Sequence, residues 1–133
     1  MTYALAPALQ AAVFQHLAGL PALAGVALHD ALPPGPVPDT YVTLGPEVVR
    51  DRSDATARGA DHEFTLSVVT TLAGFAGAKT LAATLSDALE GAGLTLARGR
   101  LVGLRFARAT ALREGTGDTR RIDLRFIARV EDI

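Results

Sequence analysis

Residues 121–130 alternate without a break. Ile122, Leu124, Phe126, Ala128 and Val130 take one parity, and Arg121, Asp123, Arg125, Ile127 and Arg129 take the other. Successive side chains of a strand point to opposite faces, so this pattern predicts a strand buried on one face and wetted on the other. A slip of one residue would drive three arginines into the core, so the register is strongly specified. The apolar face needs a covering layer, and that requirement constrains the rest of the chain. Val102, Leu104 and Phe106, alternating with Gly103, Arg105 and Ala107, predict a partner strand. Glu114-Gly115-Thr116-Gly117-Asp118 between the two runs has the glycine content of a hairpin turn. Phe64, Leu66 and Val68, alternating with Glu63, Thr65, Ser67 and Val69, predict a third strand over 63–71.

Two helical stripes can supply the cover. Leu5, Leu9, Val13, Leu17 and Leu20 recur at helical spacing and predict a helix over 5–19, with Pro7 in its first turn and Gly19 and Pro21 ending it. Leu81, Leu85, Ala88, Leu89 and Ala92 predict a second helix over 76–91, stopped by Gly91 and Gly93. Val26-Ala27-Leu28-His29 reads as a short strand. The run Leu32-Pro33-Pro34-Gly35-Pro36-Val37-Pro38-Asp39 reads as a connector, because four prolines forbid helix and sheet interior alike. Tyr41-Val42-Thr43-Leu44 reads as a strand stopped by Gly45-Pro46, residues 50–61 as an exposed, mobile loop, and 94–97 as a possible small extra strand. The expected order is α β β β α β β. The fold class is α+β: a two-layer sandwich of a mainly antiparallel sheet with two helices packed on one face, in a single domain spanning 1–133.

Composition narrows the function classes. With 133 residues the chain can bury a core without staples, and its 49% hydrophobic content argues against disorder. The absence of cysteine removes disulfides, thiolate zinc sites and cysteine nucleophiles. A net charge of −1 lacks the basic excess usual in duplex-binding proteins. No apolar run reaches the ~18 residues of a membrane span, and Met1-Thr2-Tyr3-Ala4 lacks the basic start of a signal peptide. Twelve of the thirteen basic residues are arginine, Lys79 being the exception, which reflects GC-rich coding of a bacterial or phage genome.

Catalytic patterns are thin. His16, His29 and His62 read as surface or strand-end histidines, none with another at metal-ligand spacing. Ser53, Ser67 and Ser86 lack the flanks of a nucleophile elbow. Gly74-Phe75-Ala76-Gly77-Ala78-Lys79-Thr80 approaches a phosphate loop, but Ala78 stands where a glycine must precede the lysine. The expectation is no enzyme, no metal and no cofactor. Arginines form the one suggestive pattern: Arg50, Arg52 and Arg58 in the polar loop, and Arg121, Arg125 and Arg129 around Ile127 on one face of the last strand, with Arg105 across from them. The plain reading is a solvated face with local ion pairs. The functional reading is an interface with an acidic surface of another subunit, or with DNA passing nearby, because the planar guanidinium fork suits bidentate pairs.

Several segments together carry a resemblance. They are the N-terminal helix ending in Gly19-Leu20-Pro21, the proline-rich connector, Pro38-Asp39-Thr40-Tyr41-Val42-Thr43-Leu44-Gly45, the strand Glu63–Val69, the helix with Leu81, Leu85 and Leu89, and the closing pair from Arg100 to Glu131. In this layout the chain resembles the tail-completion, or tail-terminator, proteins of long-tailed phages and gene transfer agents, over nearly its whole length. The resemblance implies a virion protein, made in the bacterial cytoplasm. It would assemble with itself into a ring, commonly a hexamer, on the head-proximal end of the tail tube. It would end polymerisation of the tube protein and meet the head-to-tail connector. DNA would pass through the lumen without sequence-specific binding, and no membrane would be involved. The alternatives are another neck or minor tail component, such as a head-to-tail joining protein, or a small ligand-binding α+β domain.

Overall fold

The computed structural model describes residues 3–30, 35–114 and 118–132. The elements run α1 (Ala6–Ala18), a single 3-10 turn at Pro21–Leu23, β1 (Ala27–His29), β2 (Thr40–Asp51), β3 (Arg58–Thr70), α2 (Ala76–Leu89), β4 (Arg100–Arg113) and β5 (Arg120–Asp132). This is the α+β class expected, and the order of elements is the one read from the patterning. The sheet order is β1-β2-β3-β5-β4. β1 pairs with β2 in parallel, and the other neighbours are antiparallel. β3 and β4 both run against β5, so α2 carries the chain between two parallel strands and β5 enters between them. Pro7 lies in the first turn of α1 and Gly19 caps its end. The hairpin turn at Gly115-Thr116-Gly117 and the Leu32-Pro33-Pro34 part of the connector lie outside the described residues.

Both helices lie on one face of the sheet. Leu5, Leu9, Val13 and Leu17 from the first helical segment and Ala78, Ala82, Leu85 and Leu89 from the second meet Val42, Leu66, Val68, Ile122, Leu124, Phe126, Ala128 and Val130 from the strands. Phe126 is fully buried at the centre, with Phe64 stacked on it at 5.6 Å between ring centroids and Phe106 edge-on at 5.9 Å. Offset and edge-on rings are the favoured aromatic arrangements. Gly99 shows how tightly the start of β4 is packed. Its φ is +67°, and a Cβ there would stand 2.5 Å from both Leu5 Cδ2 and the Glu131 carbonyl oxygen.

Four expectations need correction. β2 does not stop at Gly45-Pro46 but continues to Asp51 through a bulge between Leu44 and Glu47. The extra residue flips the parity, so Val42 and Leu44 face the core before it, and Glu47 and Val49 face that side after it. The loop reading of 50–61 is too long at both ends: Arg50 and Asp51 belong to β2 beyond its bulge and Arg58 to Asp61 belong to β3, which leaves 52–57 as the largely exposed turn. Val102 does not share the core face with Leu104, and Phe106, which does and stands opposite Phe126, is only partly covered there. β4 is an edge strand with bulges between Leu101 and Gly103 and between Phe106 and Arg108. Val102 is 51% exposed and Phe106 38%. Finally, 94–97 forms no strand, and Leu96 alone of those residues is buried.

Phe126→Ala should cost about 3–5 kcal/mol in urea unfolding, the range for emptying a packed aromatic site. Phe106→Ala should cost about 1 kcal/mol, the scale of an edge aromatic contact. Equal losses would place Phe106 in the core after all.

Candidate functional site

The second sheet face carries no helix. Register puts Asp61, Glu63, Thr65, Ser67 and Val69 of β3 beside Arg129, Ile127, Arg125, Asp123 and Arg121 of β5, in that order. Acids and arginines interleave across the two strands, and Arg121, Arg125 and Arg129 each find a carboxylate. Arg129 Nε donates to Asp61 Oδ1 at 3.1 Å, and Arg52 Nε donates to the other oxygen of the same carboxylate at 2.8 Å. The Arg125 guanidinium stands 3.4 Å from Glu63. Arg121 Nε and Ser67 Oγ both donate to Asp123 Oδ1 at 2.7 Å, and Glu114 stands 3.6 Å from Arg121. Ile127 lies half-buried among them. Thr65, Ser67 and Val69 are buried on this uncovered face; long arginine stems lying along apolar surface produce that effect.

The seven residues singled out from the sequence are therefore not one cluster. Arg121, Arg125, Ile127 and Arg129 form a continuous row on the outer face, and Arg52 joins it through Asp61. Arg50 lies opposite Asp61 in register on the same face, exposed. Arg58 stands apart at the start of β3, opposite Asp132. Burial alone pushes the Asp61 carboxyl up, but the hydrogen bonds and charges of Arg129 and Arg52 outweigh it and hold the group below its ordinary value. Arg98 does the same for Asp132 through a bidentate pair at 3.1 and 2.8 Å, with Arg58 adding its charge.

His62 overturns the reading of a surface histidine. It sits on the core face of β3, fully buried, and neither ring nitrogen has a hydrogen bond. The Glu47 carboxylate is 3.5 Å from its Nδ1. Tyr3 stacks over its ring at 6.3 Å and donates its hydroxyl to Glu47 at 2.8 Å. The bulge in β2 puts Glu47 there, so no simple alternation could have revealed it. His16 Nε2 lies 2.9 Å from the Ala88 carbonyl oxygen, tying α1 to α2. Among the described residues no group of three or more His, Asp or Glu side chains could hold a metal ion, and no helix is long and apolar enough to cross a membrane.

The family model of the tail completion protein gp17 matches residues 11–131. The chain belongs to this family. A chain in the solved virion of a native gene transfer agent particle is 59% identical, covers 98% of this chain and 99% of that one, and superposes with a TM-score of 0.92. No curated protein matches. As a member of the tail completion family, the chain is a structural tail protein of the phage and gene-transfer-agent kind, with its place in the tail or neck of a virion.

The Asp61 cluster has a pH signature. Because the folded carboxyl titrates below its unfolded value, the stability it contributes is present above about pH 4 and is lost as pH falls through the folded value. Asp61→Asn should therefore lower the unfolding free energy at pH 7 and matter much less at pH 2. A pH-independent loss in urea titrations at both values would mean that the Arg52–Asp61–Arg129 cluster is not the cause.

Proposed function

We propose that this tail completion protein assembles into a ring on the head-proximal end of the tail tube, ends tube polymerisation and joins the tail to the head connector. The observation that carries this reading is the near-complete likeness to a chain of a native gene transfer agent virion. The architecture is suited to such a part. One sheet face is sealed by α1 and α2, while the other presents Arg121, Arg125, Ile127 and Arg129 across its middle without a covering layer. A surface of paired charges around an apolar residue can exchange its in-chain partners for those of a docking protein. Electrostatic matching of that kind favours orientation and selectivity over raw affinity. We assign this face, with Arg50 and Arg52 on its margin and Arg58 at its end, to contact with the tube protein or the connector. The role is mechanical rather than catalytic. DNA would traverse the lumen of the ring without base-specific contacts, and assembly would take place in the bacterial cytoplasm.

Producer cells lacking this chain should release tails that are over-long or detached from heads, as counted by electron microscopy of purified particles. An Arg125→Glu, Arg129→Glu variant should remain folded and give the same defect in part. Normal tails without the chain would overturn the terminator reading. Normal tails with the variant would remove the outer face from it.

A further inference from the structure

Charge is distributed very unevenly along this nearly neutral chain. Residues 1–49 contain no lysine or arginine and three acids: Asp30, Asp39 and Glu47. Residues 100–113 contain four arginines and no acid. Strand order carries this asymmetry into space. β1 and the start of β2 form one margin of the sheet, and β4 forms the other. Four strand spacings of about 4.8 Å separate β1 from β4, roughly 19 Å. Asp30 directly follows β1 and Asp39 directly precedes β2; both are exposed. On β4, Arg100 pairs with Glu131, but among the described residues no carboxylate pairs with Arg105, Arg108 or Arg113. Register even sets Arg108 opposite Arg125 and Arg113 opposite Arg120, like charges that cost stability within the subunit.

Each margin also offers apolar surface. Beside β4, Phe106, Ala109 and Ala111 line a groove with Ala82, Ala83 and Lys79 of α2. At the opposite margin, Pro7, Ala11 and Phe14 of α1 line a groove with Tyr3 and the acids Asp30 and Glu47. The edge hydrogen bonds of β4 are taken near its middle. Glu90 accepts from the Phe106 amide, and the Gly91 amide donates to the Leu104 carbonyl at 2.9 Å. Residues 108–113 beyond that point are exposed.

We infer that a second copy of this chain docks its acidic α1–β1 margin against the arginine margin of β4. A two-fold contact of β4 with β4 would face arginines with arginines, and like charges across an interface are costly. Joining unlike margins is a head-to-tail contact. It leaves the growing assembly with one free margin of each sign, so it propagates, and it closes into a ring where the rotation per copy allows. The inference rests on the ring reading above and names its lateral interface, the two sheet margins. Arg105 and Arg108 stand at the β4 edge on the outer-face parity, opposite Ile127 and Arg125, so rescue on co-expression of complementary variants separates a lateral contact from one with tube or connector.

The test uses two variants of exposed residues in producer cells. Arg105→Glu, Arg108→Glu makes both margins acidic; Asp30→Arg, Asp39→Arg makes both basic. Each alone should reduce transfer-competent particles by roughly 100-fold, the loss expected from breaking interfacial charge pairs. Co-expression of the two should restore them, because acidic and basic copies can alternate. Circular dichroism melts should show both purified variants folded, the arginine variant melting no lower than the parent because Arg108→Glu relieves the repulsion from Arg125. Near-normal particle yield with each variant alone overturns the pairing of margins while leaving the ring reading intact, and normal tails in cells without the chain overturn both. Loss of duplex-DNA retention in the arginine variant with particle assembly intact would assign β4 to the DNA channel and also overturn the inference.

Discussion

β3 and β5 pair over thirteen consecutive positions, from Arg58 opposite Asp132 to Thr70 opposite Arg120, with no bulge. Everything else is hung on that unbroken ladder. It holds one parity of both strands against the helices and the other toward the outer face, so the aromatic cluster at Phe64 and Phe126 and the ion pair of Asp61 with Arg129 have a common origin. Shifting the two strands by a single residue would destroy both at once. The irregularities of the sheet are confined to its flanks, where β2 and β4 absorb them.

The same division accounts for what could be read from the chain. Strict alternation in 121–130 and 63–69 identified the central strands and both of their faces, because neither carries an inserted residue. The helical stripes were legible from leucine spacing, and the capping and first-turn positions of Gly19 and Pro7 agreed with it. Where parity switches, the reading broke. Gly45-Pro46 looked like a stop because glycine and proline usually punctuate strands. In this sheet they occupy a bulge on a part of β2 beyond the reach of three-residue β1, a location that tolerates a missing N–H. Val102 is itself a bulge residue, so the alternation counted through it misplaces it. Phe106 keeps the core parity opposite Phe126, but on an edge strand that parity alone does not bury it.

The arginine row of β5 is visible as a pattern, but its carboxylate partners are not: Asp61 falls in the stretch that reads as a loop, and Glu63, legible on its strand, stands opposite Ile127 and reaches Arg125 only diagonally. His62 was hidden for a related reason. Its neighbours Asp61 and Glu63 are polar, so it reads as part of a wet segment, yet in the fold it occupies the core parity of β3 between Ala60 and Phe64. The charge imbalance between the two sheet margins could not be recognised as spatial until strand order separated β1 from β4.

The bulges carry an implication for how such a chain can change length. Removing Gly45 or Pro46 would leave Glu47 two positions after Leu44, still opposite Phe64 and still on the helix-bearing side. Removing a residue between Val42 and Leu44 would instead turn over the stretch up to the bulge, exchanging inward and outward side chains. Val102 and Ala107 of β4 hold equivalent positions. These three sites are therefore the places in the sheet where descendants of one ancestral sequence can gain or lose a residue without turning a strand over, and gaps among related chains should collect there while β3 and β5 keep a fixed length.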